Sequence, residues 1–326
     1  MEDGGKIRSC KLAYATFGRL SPQRDNAILI LTWYSGTSKM MEQIYIGSGR
    51  AIDPDKYFII IANQIGNGLS SSPHNTPAPF HGIKFPRVRI SDDVRAQRKL
   101  ITEEFGLERL ELVMGGSMGA AQTYEWAVRY PEMVKRAAPI AGNPKVTPHE
   151  FVFAEMLREA LTSDPAWKGG WYTDCRALHE GLCRQAKLFA LVGFTTEFFN
   201  QELWRALDYS SLDDFLTGYL ENYFLPMDPN NLLCMIGKWQ ASDVSRLTGG
   251  DLKEALSRVK AKTFIVAIDE DMLFPTQRCA INQKLIPNSK LRVIHSLWGH
   301  SGLDGADPEY VRQVDATLTE LLAVSI

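Results

Sequence analysis

One serine of this chain has the surroundings of an enzymatic nucleophile. Ser117 stands in the segment Gly-Gly-Ser-Met-Gly at 115–119, between an apolar run at 110–114 and a helical pattern over 118–129. A serine of this pattern takes a strained strand-to-helix turn, and the flanking glycines leave room for it. The positive end of the helix then faces the hydroxyl, and the Met118 amide is placed to donate to an oxyanion.

A serine hydroxyl becomes a strong nucleophile only when a base removes its proton, so a carboxylate and a histidine are expected later in the chain. Of the six histidines, His300 follows the last predicted strand in a glycine-containing loop, whereas His295 ends that strand. We expect His300 to be the base. Three acids follow the preceding strand, and Asp271 is favoured because the apolar residues after it would pack it inward. Asp269 is the main alternative, and Glu270 is expected to be solvated.

A second oxyanion donor is expected in the loop after the first core strand. There the sequence reads Thr-Trp-Tyr-Ser-Gly at 32–36, and the Tyr34 amide is the favoured donor. Trp33 and Tyr34 end an apolar strand directly. Exposed aromatic rings at this position would be costly, so we expect a covering segment or a substrate to pack on them.

The overall charge gives no reason to expect a polyanionic partner. The 326 residues contain 36 Lys and Arg against 38 Asp and Glu, which is a formal net charge of −2. Binding to nucleic acid or to an anionic membrane surface needs clustered positive charge. We therefore expect a small-molecule substrate, and neither nucleic acid nor a membrane as partner.

Apolar runs and cysteines also limit the possible classes. No stretch approaches the ~18 apolar residues of a membrane span, and the first residues lack the apolar region of a signal peptide. These features favour a soluble, cytoplasmic protein. The five cysteines are far apart and show no C-x-x-C spacing. We expect neither a disulfide framework nor a metal site.

Short apolar runs alternate with helical patterns, which is typical of an α/β protein with a mainly parallel sheet. Strands are predicted at Ala27–Trp33, Tyr57–Ala62, Leu110–Met114, Arg136–Ile140, Thr263–Ile268 and Leu291–His295, and helices at Asp92–Phe105, Met118–Arg129, Thr276–Leu285 and Pro308–Ala323. The alternation stops over 144–246, where the sequence predicts helices and loops only. We interpret this segment as a lid inserted into a catalytic core of 1–143 and 247–326. A separate helical domain without a catalytic role is the alternative.

Several separated segments resemble one known family. They are the segment at 115–119 followed by Glu-Trp-Ala-Val-Arg-Tyr-Pro at 125–131, the segments at 13–20, 92–97, 164–172 and 271–275, and Gly299-His300. Together they resemble the homoserine O-acetyltransferase family of the α/β-hydrolase superfamily. The resemblance implies an α/β-hydrolase core with a helical lid, and a triad of Ser117, Asp271 and His300 that works through an acyl-enzyme. It also implies acetyl-CoA as acyl donor and a homodimer formed through the lid helices. We expect no resident cofactor.

The sequence departs from the family where the amino acid would bind. The carboxylate that follows the family's catalytic histidine is Ser301 here, and the family's lid arginine has only the shifted Arg184 and Lys187 as counterparts. Asp228 retains the family's Asp-x-Asn. We expect Trp33, Lys187, Ser301 and Asp228 to contact the substrate.

Two enzymatic functions fit these residues. The first is an O-acyltransferase whose hydroxyl acceptor is not homoserine, because a lost ammonium partner removes a charge-assisted hydrogen bond of about 1.5–3 kcal/mol. The alternative is an esterase that uses the same triad with water as acceptor. A non-catalytic binding protein is disfavoured because no triad position is empty.

Overall fold

The computed structural model describes residues 1–326, and its centre is one seven-stranded sheet. The strands are β1 (Tyr14–Phe17), β2 (Ala27–Leu31), β3 (Phe58–Ala62), β4 (Leu112–Gly116), β5 (Arg136–Ile140), β6 (Lys262–Ile268) and β7 (Ser289–Ile294). Their order across the sheet is β1-β3-β2-β4-β5-β6-β7. Only β1 is antiparallel, against β3, and the other pairs are parallel.

The helices account for most of the remaining secondary structure. The α-helices are α1 (Ser38–Tyr45), α2 (Ile90–Lys99), α3 (Met118–Arg129), α4 (Pro148–Thr162), α5 (His179–Gly193), α6 (Thr196–Asn200), α7 (Leu212–Phe215), α8 (Asn222–Phe224), α9 (Pro229–Gln240), α10 (Leu252–Ser257), α11 (Thr276–Gln283) and α12 (Pro308–Ala323). Short 3₁₀ segments are Gly82–Lys84, Pro165–Gly170, Cys175–Leu178, Leu203–Leu207, Val244–Thr248 and Gly299–Asp304, and π-helical turns are Leu100–Glu104 and Leu216–Glu221. No helix is both long and apolar enough to cross a membrane.

The central strands are buried on both faces, as expected of parallel strands that helices cover on either side. Every residue of β2, β3, β4 and β5 is buried. The sheet separates two apolar clusters, one on each face. The predicted α/β fold with a mostly parallel sheet is therefore confirmed.

All six predicted strands exist, with ends displaced by up to a few residues. The displacement of β4 matters most, because this strand continues through Gly116 and delivers the chain directly to Ser117. One strand and two α-helices of the core escaped the sequence analysis, namely β1, α1 and α10. The edge strand β1 has four residues that alternate between exposed and partly buried, so it lacks the apolar run that marks the inner strands.

Only helices and loops lie between β5 and β6, where the sequence predicts a lid at 144–246. We call this segment the helical insertion. Its two ends lie side by side, because Val146 N–H donates to Ser242 O at 2.9 Å and Val244 N–H donates to Pro144 O at 3.1 Å. The insertion also meets the loop that carries His300, where the Thr195 hydroxyl donates to Leu297 O at 2.6 Å.

Candidate active site

Ser117 occupies a sharp turn between β4 and α3. Its φ of 54° and ψ of −121° lie in a region that side chains rarely adopt, which indicates stored backbone strain. The turn needs glycine on both sides. A Cβ on Gly115 would lie 2.7 Å from the Gly119 carbonyl carbon, and a Cβ on Gly119 would lie 2.5 Å from Leu31 O. The close packing of helix on strand therefore explains both glycines of the motif.

His300 and Asp271 complete a relay with Ser117. His300 Nε2 lies 3.0 Å from Ser117 Oγ, and His300 Nδ1 lies 2.8 Å from Asp271 Oδ2. The other carboxylate oxygen, Asp271 Oδ1, accepts the Leu273 and Phe274 amides at 2.8 and 2.9 Å. All three residues of the relay are buried. The geometry fits a base that accepts the serine proton while a buried carboxylate orients it.

The alternative acid, Asp269, does not reach His300. Its Oδ2 lies 2.5 Å from Nδ1 of His295, on the exposed side of the sheet end. This contact raises the pKa of His295 through a hydrogen bond to the carboxylate. Glu270 is exposed. Inside the site, the Phe274 ring packs on the His300 ring with centroids 5.2 Å apart, as the apolar sequence after Asp271 predicts.

The two expected oxyanion donors are the amides of Met118, at the start of α3, and of Tyr34, in the loop after β2. Met118 is the first residue of α3, and the first N–H groups of a helix have no acceptor within it. Tyr34 follows β2 and borders the same cavity as Ser117. The Tyr34 amide donates no hydrogen bond within the protein. Both amides are therefore free to donate hydrogen bonds to an oxyanion that forms beside Ser117.

Two glutamines hold the backbone that carries the Tyr34 amide. Gln64 Nε2 donates to Thr32 O at 2.7 Å and to Trp33 O at 3.1 Å, and Gln122 Nε2 donates to Thr32 O at 3.0 Å. Within one planar trans peptide, the Trp33 carbonyl and the Tyr34 N–H point in opposite directions. Anchoring the carbonyl therefore aims the N–H. Sequence reasoning missed Gln64, although a polar residue just after an apolar strand was an available signal.

A cavity of about 190 Å³ opens beside Ser117, and eleven of its sixteen lining residues are hydrophobic. The lining residues are Trp33, Tyr34, Ser35, Met40, Ser117, Phe189, Tyr219, Leu220, Tyr223, Phe224, Trp239, Leu273, His300, Ser301, Leu303 and Asp304. The expected contact residues Trp33 and Ser301 are among them. The helical insertion supplies Phe189, Tyr219 and Tyr223, among others. Its Phe194 and Phe198 instead pack on each other, with ring centroids 4.3 Å apart, and on Trp298 of the core.

Lys187 and Asp228, which the sequence analysis placed at the substrate, do not line this cavity. The Lys187 side chain is 61% exposed, and its Nζ lies 3.4 Å from Glu221 Oε1. It projects from the outer side of α5. Asp228 caps α9, because its Oδ1 accepts the Asn231 amide at 3.0 Å. An Asp before Pro229 is a helix-start signature, and this signal in the sequence favoured a structural role.

Asp304 is a carboxylate of the cavity that the sequence analysis missed. It ends the 3₁₀ segment Gly299–Asp304 that begins beside His300, and Tyr219 Oη donates to its Oδ2 at 3.4 Å. Burial raises the pKa of Asp304 to about 6. The available signal was its position four residues after His300, which is about one helical turn.

Comparison with known proteins identifies the family of this chain. A family model described as alpha/beta hydrolase fold matches residues 27–306. The chain is 54% identical over 323 residues to the ethyl acetate hydrolase of Pseudomonas veronii, covering 99% of this chain and 93% of that protein. An acetylester hydrolase structure from Corynebacterium glutamicum superposes with a TM-score of 0.98 at 53% identity, covering 99% of this chain and 93% of that one.

The homoserine O-acetyltransferases are more distant. The homoserine O-acetyltransferase of Trichormus variabilis is 31% identical over 312 residues, covering 92% of this chain and 86% of that protein. The resemblance seen in the motifs therefore holds for the superfamily, while greater identity lies with esterases. Since the family match extends over most of its length, the chain belongs to the α/β-hydrolase family and is an enzyme of that type.

Proposed function

We propose that the protein hydrolyses acetyl-type esters of small alcohols through an acyl-Ser117 intermediate. The observation that carries this proposal is the relay of Ser117, His300 and Asp271, which ends in a small and mostly apolar cavity. The 54% identity to the ethyl acetate hydrolase of Pseudomonas veronii supports the same activity. Acyl transfer, the first expectation from sequence, has support only from the more distant relatives.

In acylation, the relay of Ser117, His300 and Asp271 activates the serine hydroxyl. Ser117 Oγ attacks the ester carbonyl carbon while His300 Nε2 takes the hydroxyl proton. The carbonyl oxygen becomes an oxyanion, and the Tyr34 and Met118 amides donate to it. When the tetrahedral intermediate collapses, the bond to the alcohol oxygen breaks and His300 Nε2 gives that oxygen its proton. The alcohol leaves, and the acyl group remains on Ser117.

Deacylation repeats the same steps with water. His300 Nε2 takes a proton from a water molecule as its oxygen bonds to the acyl carbon, and the same amides bind the oxyanion. The bond from carbon to Ser117 Oγ then breaks, and the proton on Nε2 returns to Oγ. The products are the carboxylic acid and the free enzyme.

The size of the cavity limits the acyl chain. Pockets for drug-sized ligands have volumes of about 300–1,000 Å³. This cavity measures about 190 Å³ and has a bulky aromatic lining. We therefore propose acetyl and propionyl esters as the preferred substrates.

The direct test is a series of ethyl esters with two, four, six and eight acyl carbons. We expect kcat/KM to be highest for ethyl acetate and to fall steeply with chain length. Ser117→Ala should lower kcat on the order of 10⁶-fold, because the nucleophile is lost while the binding residues remain. Equal rates across the series, or an active Ser117→Ala protein of native fold, would contradict the proposal.

Acyl transfer from acetyl-CoA is the second candidate, favoured by the motifs shared with the homoserine O-acetyltransferases. Release of free thiol from acetyl-CoA can be followed with and without a panel of hydroxyl acceptors, including homoserine. We expect ester cleavage and little thiol release. Thiol release that depends on an acceptor would instead favour the transferase.

A further inference from the structure

Asp304 places a second carboxylate inside the catalytic cavity. It shares the 3₁₀ segment Gly299–Asp304 with His300 and lines the same cavity as Ser117. It also borders an adjoining cavity of about 270 Å³, together with Met40. The side chain is therefore partly buried and reachable by a ligand.

This carboxylate has no cationic side chain as partner. The groups that face it are His300 on its own segment, Tyr219 and Tyr223 from the helical insertion, Tyr45 from α1 and Tyr310 from α12. The tyrosines are neutral near pH 7. Both ring nitrogens of His300 are already engaged, by Ser117 and Asp271.

Above its pKa, the charge of Asp304 therefore has the Tyr219 hydroxyl as a hydrogen-bond donor but no Lys or Arg as counter-ion. Burial raises that pKa to about 6, so the carboxylate is mostly ionised at pH 7 and above. A partly buried charge without a counter-ion is less stable than a paired one. A positively charged substrate group would provide that counter-ion.

The walls of the cavity suit such a group. Trp33, Tyr219 and Tyr223 line the same cavity as Asp304, and the faces of aromatic rings attract ammonium groups. We propose that Asp304 and these three rings form a subsite for a cationic group on the alcohol part of the ester. Acetate esters of amino alcohols are then preferred over neutral esters of the same shape. This inference rests on the proposed esterase function.

The same lining argues against an amino acid as the occupant. None of the sixteen lining residues is lysine or arginine. The carboxylate of an amino acid would have no partner there and would be repelled by Asp304. The chemistry therefore selects a cation without an accompanying anion.

A pair of isosteric esters tests the proposal. Acetylcholine carries a permanent positive charge, and 3,3-dimethylbutyl acetate is its neutral carbon analogue. We expect the wild-type protein at pH 8 to show a kcat/KM at least about tenfold higher for acetylcholine. In Asp304→Asn the ratio should fall to near one. Asp208→Asn removes an exposed carboxylate by the same substitution and should leave the ratio unchanged.

The pH dependence of this ratio tests the proposal without any substitution. Both esters are cleaved by the same relay, so the ratio removes every pH effect that the two reactions share. Below about pH 6 Asp304 is protonated and neutral, and the ratio should be small. The ratio should rise as the pH increases through 6. A flat ratio in the wild-type protein would overturn the proposal.

Other outcomes separate this inference from the esterase function. An equal loss on both esters in Asp304→Asn, with the ratio unchanged, would show that Asp304 acts only through His300 and would overturn the subsite. If neither ester is hydrolysed, the esterase function fails, and the subsite is then tested by calorimetry on Ser117→Ala. Acetylcholine must bind more tightly than its neutral analogue there, and the added Asp304→Asn change must abolish the difference.

Discussion

Asp271 is held at both carboxylate oxygens, and this double attachment decides where His300 carries its proton. Oδ1 accepts two backbone amides, while Oδ2 faces His300 Nδ1. Because a carboxylate only accepts, Nδ1 must carry the hydrogen. Nε2 is then left with the lone pair that takes the Ser117 proton.

Asp271→Asn should therefore lower kcat on the order of 10⁴-fold. The Leu273 and Phe274 amides still require an acceptor at Oδ1, so the new amide nitrogen must take the place of Oδ2 and face Nδ1. Two donors then oppose each other, and the imidazole shifts its hydrogen to Nε2. Steady-state kinetics on ethyl acetate provide the measurement.

Asp269→Asn is the matched control, since it makes the same change two residues away. Its carboxylate contacts the exposed His295 and not His300. We expect kcat within about twofold of wild type, as for a surface substitution. A large loss in this variant, with little loss in Asp271→Asn, would assign the acid to Asp269.

Among single residues, the sequence predicted the catalytic ones well because few other residues of the same type occupy a suitable position. Ser117, Asp271 and His300 were predicted from a motif, a strand order and a loop, and the structure brings them together. Lys187 was expected at the substrate but lies outside the cavity, and Asp304 was missed, because a charged side chain on a helical segment can face either way. Its direction depends on packing between segments distant in sequence.

The backbone orientation of the loop between β2 and α1 is set by side chains from other elements. Its carbonyls at Thr32 and Trp33 are held by Gln64, which follows β3, and by Gln122 of α3. Lys238 of α9 approaches Gln64 Oε1 at 3.4 Å. Elements on three sides thus fix the direction of the Tyr34 amide.

Gln64→Ala should lower kcat about 10–100-fold and leave KM nearly unchanged, because a misaimed amide weakens only the transition state. Affinity for a trifluoromethyl ketone, which forms the oxyanion, should fall in parallel with kcat/KM. Gln283→Ala is the control, since that amide also donates to a backbone carbonyl, Ser289 O at 3.2 Å, outside the site. An increase of KM alone would contradict a role for Gln64 in aiming the amide.

Elements were predictable where the apolar pattern was long and its ends were marked. The predicted bounds of α3 and α12 agree with the structure, because Pro131 closely follows the first and Pro308 starts the second. The predicted helix 92–105 is instead α2 followed by the π-helical turn Leu100–Glu104. A change of hydrogen-bond register inside a helix leaves no mark on the apolar pattern.

In the whole molecule, a buried ion pair joins the helical insertion to the core. Lys238 of α9 and Asp93 of α2 have fully buried side chains, and Nζ lies 2.6 Å from Oδ2. Lys238 also donates to Ile65 O at 2.6 Å, and Asp93 Oδ1 accepts the Ile65 amide at 2.7 Å. Burial raises the pKa of Asp93, although the Lys238 ammonium opposes the rise.

Lys238→Met should lower the free energy of unfolding at pH 7 by about 3–5 kcal/mol, because it leaves the Asp93 charge buried without a partner. The loss should shrink as the pH falls, since protonation of Asp93 in the folded state removes that charge. Urea unfolding at pH 5 and pH 7 measures both effects.

Two further variants control this experiment. Adding Asp93→Asn to Lys238→Met should restore part of the stability, since the amide oxygen can still accept the Ile65 amide. Lys253→Met removes an exposed lysine and should change the free energy by no more than about 0.5 kcal/mol. If Lys238→Met behaves like Lys253→Met, the pair does not stabilise the junction.

No sequence pattern pointed to this pair. Asp93 lies in a helix with several charged residues, and Lys238 lies in the last turn of α9, where a solvated lysine is common. Their contact joins positions 145 residues apart and exists only once the helical insertion has packed on the core. The sequence predicted where the insertion begins and ends, but not the side chains that attach it.

The adjacent ends of the helical insertion have an evolutionary consequence. A segment that leaves and re-enters a fold at one point, here Lys145 beside Asp243, can be exchanged for another of different length without disturbing β5 or β6. The hydroxyl, imidazole and carboxylate of the relay belong to the part that stays. Most of the aromatic walls of the cavity belong to the part that is exchanged. Because Lys238 of the insertion pairs with Asp93 and approaches Gln64, chimaeras joined between 144 and 244 that keep this lysine should retain the chemistry and acquire a new range of substrates.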